Sequence, residues 1–310
     1  MIAFVLSGGG SRGAFEVGAL RSLICHGIQP DILVGSSAGA VNATGLALDP
    51  TLEGVDRLEK LWLDMDEDDF YSANLLVAAF RLMLNRPSLY SNRRFYRLVR
   101  AEVLSQARRF SDLNGVRLYL TGVDLDGGEL HIFGDNPADS LVDAIMASTA
   151  IQPYFAPWRY RGRNYIDGGL VSNLPVLAAL ERGATEVYAI DVTLSSMGAD
   201  DEEGLLSILK HEASLVIDQL RRQELLKARA RLGNKLHHIH YTGYAGLMPF
   251  EFTNTVDMIA DGETIMSTYL DRSRPDRFME RFQGWLGRGR PTHAGGRTPV
   301  LIKSQGREVV

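Results

Sequence analysis

Short apolar runs alternate with helix-length patterns from the first residues onward. Ile2 to Leu6 leads to a helical stretch near Ala14 to His26, then comes Ile32 to Val34, then a second helical stretch from Ala38 to Ala47. Short connections in that order signal a mostly parallel sheet covered by helices, which is an α/β fold. Further strands are expected at Arg117 to Val123, Leu130 to Phe133, Val187 to Val192 and Leu236 to His240. The stretch from Leu52 to Ala107 reads as mostly helical, an insertion or cap over the sheet. A long helical pattern runs from Leu205 to Leu232, with Leu205, Ile208, Leu209, Leu215, Val216, Leu220 and Leu225 recurring near one face. That face fits a core-facing helix, with a partner-binding helix as the alternative. Residues 286–310 are rich in Gly, Arg and Pro and read as a flexible tail, leaving 1–285 as one main domain.

With 310 residues, 45% of them hydrophobic, the chain can bury one sizeable core. It offers no apolar stretch of membrane-spanning length, because Leu75 to Phe80 is cut by Arg81. Ile2 to Leu6 meets Gly8 at once and has no basic start, unlike a secretory signal. A single cysteine, Cys25, argues for a reducing compartment and a cytoplasmic protein, and its helical context reads as packing. The net charge of -5 gives no electrostatic footprint for nucleic acid. Acids crowd Asp49 to Asp69 and arginines crowd Arg81 to Arg109, two segments that could pair with each other or leave a cationic face for anionic head groups.

Gly35-Ser36-Ser37-Ala38-Gly39 follows a short strand and opens a helix, the context that gives Gly-x-Ser-x-Gly its meaning. A sharp strand-to-helix turn would leave Ser37 exposed at the end of the sheet, with Gly35 and Gly39 avoiding the collision of the two elements. A hydroxyl needs a base, and two Asp-Gly-Gly tripeptides are on offer. Asp126-Gly127-Gly128 lies between two strand runs and reads as a hairpin turn. Asp167-Gly168-Gly169 follows Tyr165-Ile166, so its carboxylate would emerge at a strand end, where open sheets place their sites. The run Ser7-Gly8-Gly9-Gly10-Ser11-Arg12-Gly13 follows the first strand. Its glycines can turn bare N–H groups toward a developing negative charge, joined by the N–H of Ala38.

A glycine triplet followed by x-Arg-Gly, then Gly-x-Ser-x-Gly, then Asp-Gly-Gly, resembles the patatin-like phospholipases. The run Ala147-Ser148-Thr149-Ala150-Ile151-Gln152-Pro153-Tyr154-Phe155-Ala156-Pro157 is similar to that family's helix end and Pro loop. The resemblance covers roughly Met1 to Asp191. It implies a three-layer α/β/α fold and hydrolysis of fatty acyl esters of lipids by a Ser–Asp dyad without histidine. Carried over by position, Ser37 attacks, Asp167 accepts its proton, and Gly8, Gly9 and Gly10 with Ala38 hold the oxyanion. Arg12, Gly13, Gly35, Gly39, Gly168 and Gly169 complete the motifs, with Arg12 either bracing the loop or facing a lipid phosphate. Many members have Asp where this chain has Ser7. A carboxylate with a pKa of about 4 is a poor base, so Asp167 must be tuned by burial or act by orienting the serine.

Two rivals use the same residues. Gly8-Gly9-Gly10-Ser11-Arg12-Gly13 also fits the dinucleotide fingerprint, but no acid stands at the carboxyl end of the second strand to hold a ribose. A triad through His237, His238 or His240 has the chain order of α/β-hydrolases, although only one strand precedes the elbow's own strand here. His26, His131, His211 and His293 lack ligand spacing, so neither metal nor cofactor is expected. The expected partner is a lipid acyl ester, with peripheral membrane contact if Leu75 to Leu84 acts as an interfacial helix or lid instead of a core helix.

Overall fold

β1 (Ile2–Leu6) is the centre of the sheet, hydrogen-bonded in parallel to β2 (Ile32–Gly35) on one side and β7 (Glu186–Asp191) on the other. The computed structural model describes residues 1–67, 84, 86–193, 205–244 and 247–273. The chain divides into a unit from Met1 to Tyr269, to which everything below belongs, and a unit from Leu270 to Val310. The predicted apolar lid segment, Leu84 excepted, and the predicted tail lie outside the described residues.

Successive strand residues point to opposite faces, and both faces of the central strands are buried, so β1, β2 and the Val187 to Ile190 part of β7 are apolar. On one face Ala3, Val5, Ile32, Val34, Val187 and Ala189 pack with α6 (Val176–Glu181) and with Ala228 of α7 (Leu205–Leu232). On the other, α2 (Ala38–Leu48) lies against β1, β2 and β3, and α1 (Gly13–Cys25) and α3 (Leu52–Asp64) pack with α2. Phe4 and Tyr188, buried on that face, meet edge to face at 5.8 Å. The result is the three-layer α/β/α arrangement.

Hydrogen-bonded neighbours run β5-β6-β3-β2-β1-β7-β8, with β4 also paired to β3. β8 (Leu236–His240) continues the parallel set, whereas β4 (Leu130–Phe133), β5 (Trp158–Tyr160) and β6 (Arg163–Asp167) are antiparallel additions. The registers along β3 (Arg117–Asp124) position the site. Leu120 pairs with Gly35 of β2 and with Phe133 of β4, while Gly122 pairs with Asp167 of β6 and with His131 of β4. A strand has two edges, so β2 and β6 must share the edge opposite β4. They approach each other end to end, and Thr121 lies between their last paired residues.

Three expectations need correction. The outward residues of α7 include Ile208, Leu215, Val216 and Leu220, which were expected in the core. The inward face instead holds Asp218, Arg221 and Glu224, whose ion pairs and hydrogen bonds tie the helix to the sheet. Cys25 is exposed at the end of α1, so it is not a packing residue. Asp56 and Glu59 pair with Arg21, and Asp49 with Arg57, so these acids engage nearer partners than the arginines of α4 (Arg93–Leu104).

Candidate active site

Ser37 stands between the last residue pair of β2 and the first turn of α2, with φ +53° and ψ −119°. A non-glycine residue at positive φ is strained by about 1–3 kcal/mol and persists only where its surroundings enforce it. The enforcement is visible. Ser36 N–H donates to the Leu6 carbonyl (3.1 Å) and Gly39 N–H to the Ser7 carbonyl (3.1 Å), clamping the turn to the end of β1. A Cβ on Gly39 would lie 2.3 Å from the Leu6 oxygen, and one on Gly35 would lie 2.3 Å from the Gly39 oxygen. Both glycines are therefore needed for close approach, as the turn chemistry predicted. The Ser37 N–H donates to the Ser148 hydroxyl at 2.9 Å, at the end of α5 (Leu141–Ser148).

Asp167 ends β6 and is 6% exposed. Oδ1 accepts the Gly169 N–H at 2.8 Å, while Oδ2 is buried with no hydrogen-bond partner among the described residues. Burial pushes the carboxyl pKa up to about 6. The Ser37 hydroxyl, close enough to favour the charged form, and the Gly169 N–H pull it partly back. The carboxyl thus titrates within reach of neutral pH, with an unsatisfied oxygen beside a serine. Gly168 is pressed against Thr121, where a Cβ would come within 2.1 Å of Oγ1, so the loop after Asp167 lies flat on β3.

The glycine loop runs beside the same serine: a Cβ on Gly8 would sit 3.0 Å from that of Ser37. Gly8 N–H is committed to the Asn173 carbonyl at 3.0 Å, which removes it from the expected set of free donors. The N–H groups of Gly9, Gly10 and Ala38 make no backbone hydrogen bond among the described residues. Gly10 has φ +60° and touches the Pro249 carbonyl, a contact that a side chain would forbid. Arg12 is buried, its Nε 3.5 Å from the Gly9 carbonyl and its pKa lowered to about 10 by burial; it lies under the loop. Gly13 is packed between Trp62 and Ala38.

The histidines stand elsewhere. His238, on β8, pairs in register with Ala189 of β7 and stands three strands from β2, a spacing of about 14 Å. Its Nε2 lies 2.8 Å from Asp191 Oδ2, and His240 Nε2 lies 3.1 Å from the Thr193 carbonyl. Arg221 also pairs with Asp191, whose carboxyl is held far below the ordinary range by these partners despite its burial. That cluster is structural, and the triad reading falls.

Sequence reasoning missed Asn173 and Glu224. Asn173 Nδ2 donates to the Gly8 carbonyl (3.0 Å) and to Thr193 Oγ1 (2.7 Å), joining the glycine loop to the segment after Asp167. Buried Glu224 receives Ser172 Oγ–H (2.9 Å) and Leu177 N–H (2.8 Å), fastening that segment to α7. Asn173 had a signal, since it lies six residues after Asp167 on the way into α6; Glu224 had none short of the fold.

A serine held in strain on a strand-to-helix turn, at the carboxyl end of a helix-covered, mostly parallel sheet, has the elbow geometry of a broad class of α/β proteins. The position of this elbow, after the second strand and beside a glycine loop from the first, narrows the class. A family model described as patatin-like phospholipase matches residues 4–180, and the chain belongs to that family. It is 29% identical over 204 residues to patatin-like phospholipase domain-containing protein 7 of Rattus norvegicus, covering 66% of this chain and 14% of that protein. It is 24% identical over 201 residues to a lysophospholipase of Lodderomyces elongisporus, covering 62% of this chain and 12% of that one. The chain therefore spans under a fifth of the length of these relatives. The crystal structure of VipD from Legionella pneumophila shares the fold, with TM-score 0.50 and 16% identity over 87% of this chain and 66% of VipD.

Proposed function

We propose that this protein is a serine acyl-ester hydrolase acting on lipids, of phospholipase A or lysophospholipase type. Asp167 takes the proton of the Ser37 hydroxyl as Oγ attacks the ester carbonyl. The carbonyl oxygen, now negative, is held by the free N–H groups of Gly9, Gly10 and Ala38 and by the start of α2. Collapse expels the alcohol, which leaves with the proton from Asp167, and Ser37 keeps the acyl group. A water then gives its proton to Asp167 and attacks the acyl carbonyl, releasing the fatty acid and restoring the serine.

The observation that carries this reading is the Asp167 carboxyl, buried beside a strained serine with one oxygen unsatisfied and its pKa raised to about 6. A base near that value is better matched to a hydroxyl proton than an ordinary carboxylate. The names of the relatives, phospholipase and lysophospholipase, agree in substrate class. Labelling with a fluorophosphonate, abolished in Ser37→Ala, tests the nucleophile, and a lipid-class panel with product analysis tests the substrate. Labelling that persists in Ser37→Ala would refute the assignment.

A further inference from the structure

α7 buries three charged residues and leaves several large aliphatic ones exposed, among exposed charges that include Glu212, Arg222 and Lys227, while Leu225 and Leu232 pack against the core. Asp218, Arg221, Glu224 and Ala228, spaced at three and four residues, are buried against the sheet. On the opposite side Ile208 is 55% exposed, Leu215 46% and Val216 56%. The helix runs antiparallel to the central strands. Its carboxyl end leads through Gly233–Lys235 into β8, and Arg221 meets Asp191 at the carboxyl end of β7. Residues before Asp218 therefore continue past the end of the sheet that carries Ser37, with Ile208 about 15 Å beyond Asp218 at 1.5 Å per residue.

Other segments bring apolar side chains to the same end. Leu170, directly after Asp167-Gly168-Gly169, is 44% exposed, and Met248, whose carbonyl accepts the Ser11 hydroxyl of the glycine loop, is 47% exposed. Across the rim, Leu89 and Tyr90 donate their N–H groups to the Pro153 and Tyr154 carbonyls, and α4 begins just beyond them. Phe95, Val99 and Val103 of α4 are buried, while Arg93, Arg97 and Arg100 are exposed and in no ion pair among the described residues. Apolar points at the opening and a row of free cations that starts there, with Arg97 and Arg100 one and two turns further along α4, are the composition of an interfacial surface.

We propose that the active-site end of the sheet docks on an anionic phospholipid surface, with Ile208, Leu215 and Val216 entering the acyl layer and Arg93, Arg97 and Arg100 facing the head groups. The choice of partner rests on the lipid-ester reading of the site. A second copy of the chain on this rim would cover the opening through which an ester must enter, whereas a membrane there would present one.

The test is sedimentation of the full chain with vesicles of phosphatidylcholine alone and with added phosphatidylserine, beside hydrolysis of a soluble short-chain ester and the sedimentation coefficient without lipid. The wild type should bind both vesicles, and the anionic ones more tightly. Combining Ile208→Asp, Leu215→Asp and Val216→Asp should lower binding to both by roughly tenfold or more. Combining Arg93→Glu, Arg97→Glu and Arg100→Glu should remove only the anionic advantage. Both variants should keep the wild-type rate on the soluble ester. Wild type that stays in solution with both vesicles, variants that bind as wild type does, or a wild-type dimer that the aspartate variant dissociates would each overturn the proposal. Binding is read without turnover, so a chain that binds vesicles yet hydrolyses no ester would refute the hydrolase reading and leave the docking surface standing.

Discussion

Asp167→Asn should make the protein more stable while removing its activity, and the gain should depend on pH in a defined direction. Burial raises the carboxyl from 3.8 to about 6, so the folded state holds this proton more tightly than the unfolded chain does. At about 1.4 kcal/mol per pKa unit, ionising the buried group opposes folding by about 3 kcal/mol. This cost is absent below about pH 4, grows between pH 4 and 6, and is complete above the folded pKa. An asparagine carries no such charge and keeps an oxygen to accept the Gly169 N–H, so it should escape the cost. For a domain of this size about 2–4 °C accompanies each kcal/mol, placing the upper limit near roughly 6–12 °C. Thermal melts of wild type and variant from pH 4 to pH 8, with ester turnover measured in parallel, provide the assay. A gap that is absent at pH 8, or one that fails to shrink on acidification, would refute the view that Asp167 is a buried charge tolerated for chemistry.

In the wild type, kcat/KM should rise with pH through about 6 as Asp167 loses its proton, and a profile flat from pH 5 to 8 would exclude it as the base. Ser148→Ala leaves the Ser37 N–H without its partner, so stability should fall by about 1–3 kcal/mol and kcat should drop, as read by denaturant melts and steady-state kinetics. Asn173→Leu removes the bonds to the Gly8 carbonyl and Thr193; kcat should fall more than KM rises, and the fluorophosphonate labelling rate should fall with it.

The parallel core was legible because strands buried on both faces are apolar over most of their length, and Ile2 to Leu6, Ile32 to Val34 and Val187 to Ile190 carry that pattern. The elbow was legible for a related reason: Gly35 and Gly39 are demanded by backbone contacts of 2.3 Å, which leave a fixed spacing in the sequence. What escaped lacks such a local signature. β5 is a three-residue antiparallel addition of mixed polarity. α8 (Thr255–Ser273) meets α1 through backbone at Gly18 and Gly262, where a Cβ would lie within about 2 Å of a carbonyl, so close approach and not an apolar stripe joins them. The outward stripe of α7 was read as a core face because periodicity fixes which residues share a side, not which side faces the protein. At the site, the loss of Gly8 as a donor depends on the Asn173 carbonyl, more than 160 positions away in the chain.

The sharing of one edge of β3 by β2 and β6 ties the distance between serine and carboxylate to strand register. Surface helices and loops in the intervening chain can be lengthened, trimmed or exchanged without retuning the chemistry, provided that Leu120 still meets Gly35, Gly122 still meets Asp167 and Ser148 still holds the Ser37 N–H. A scaffold built this way suits grafting, because new recognition surfaces can be spliced in while the reacting atoms keep their places.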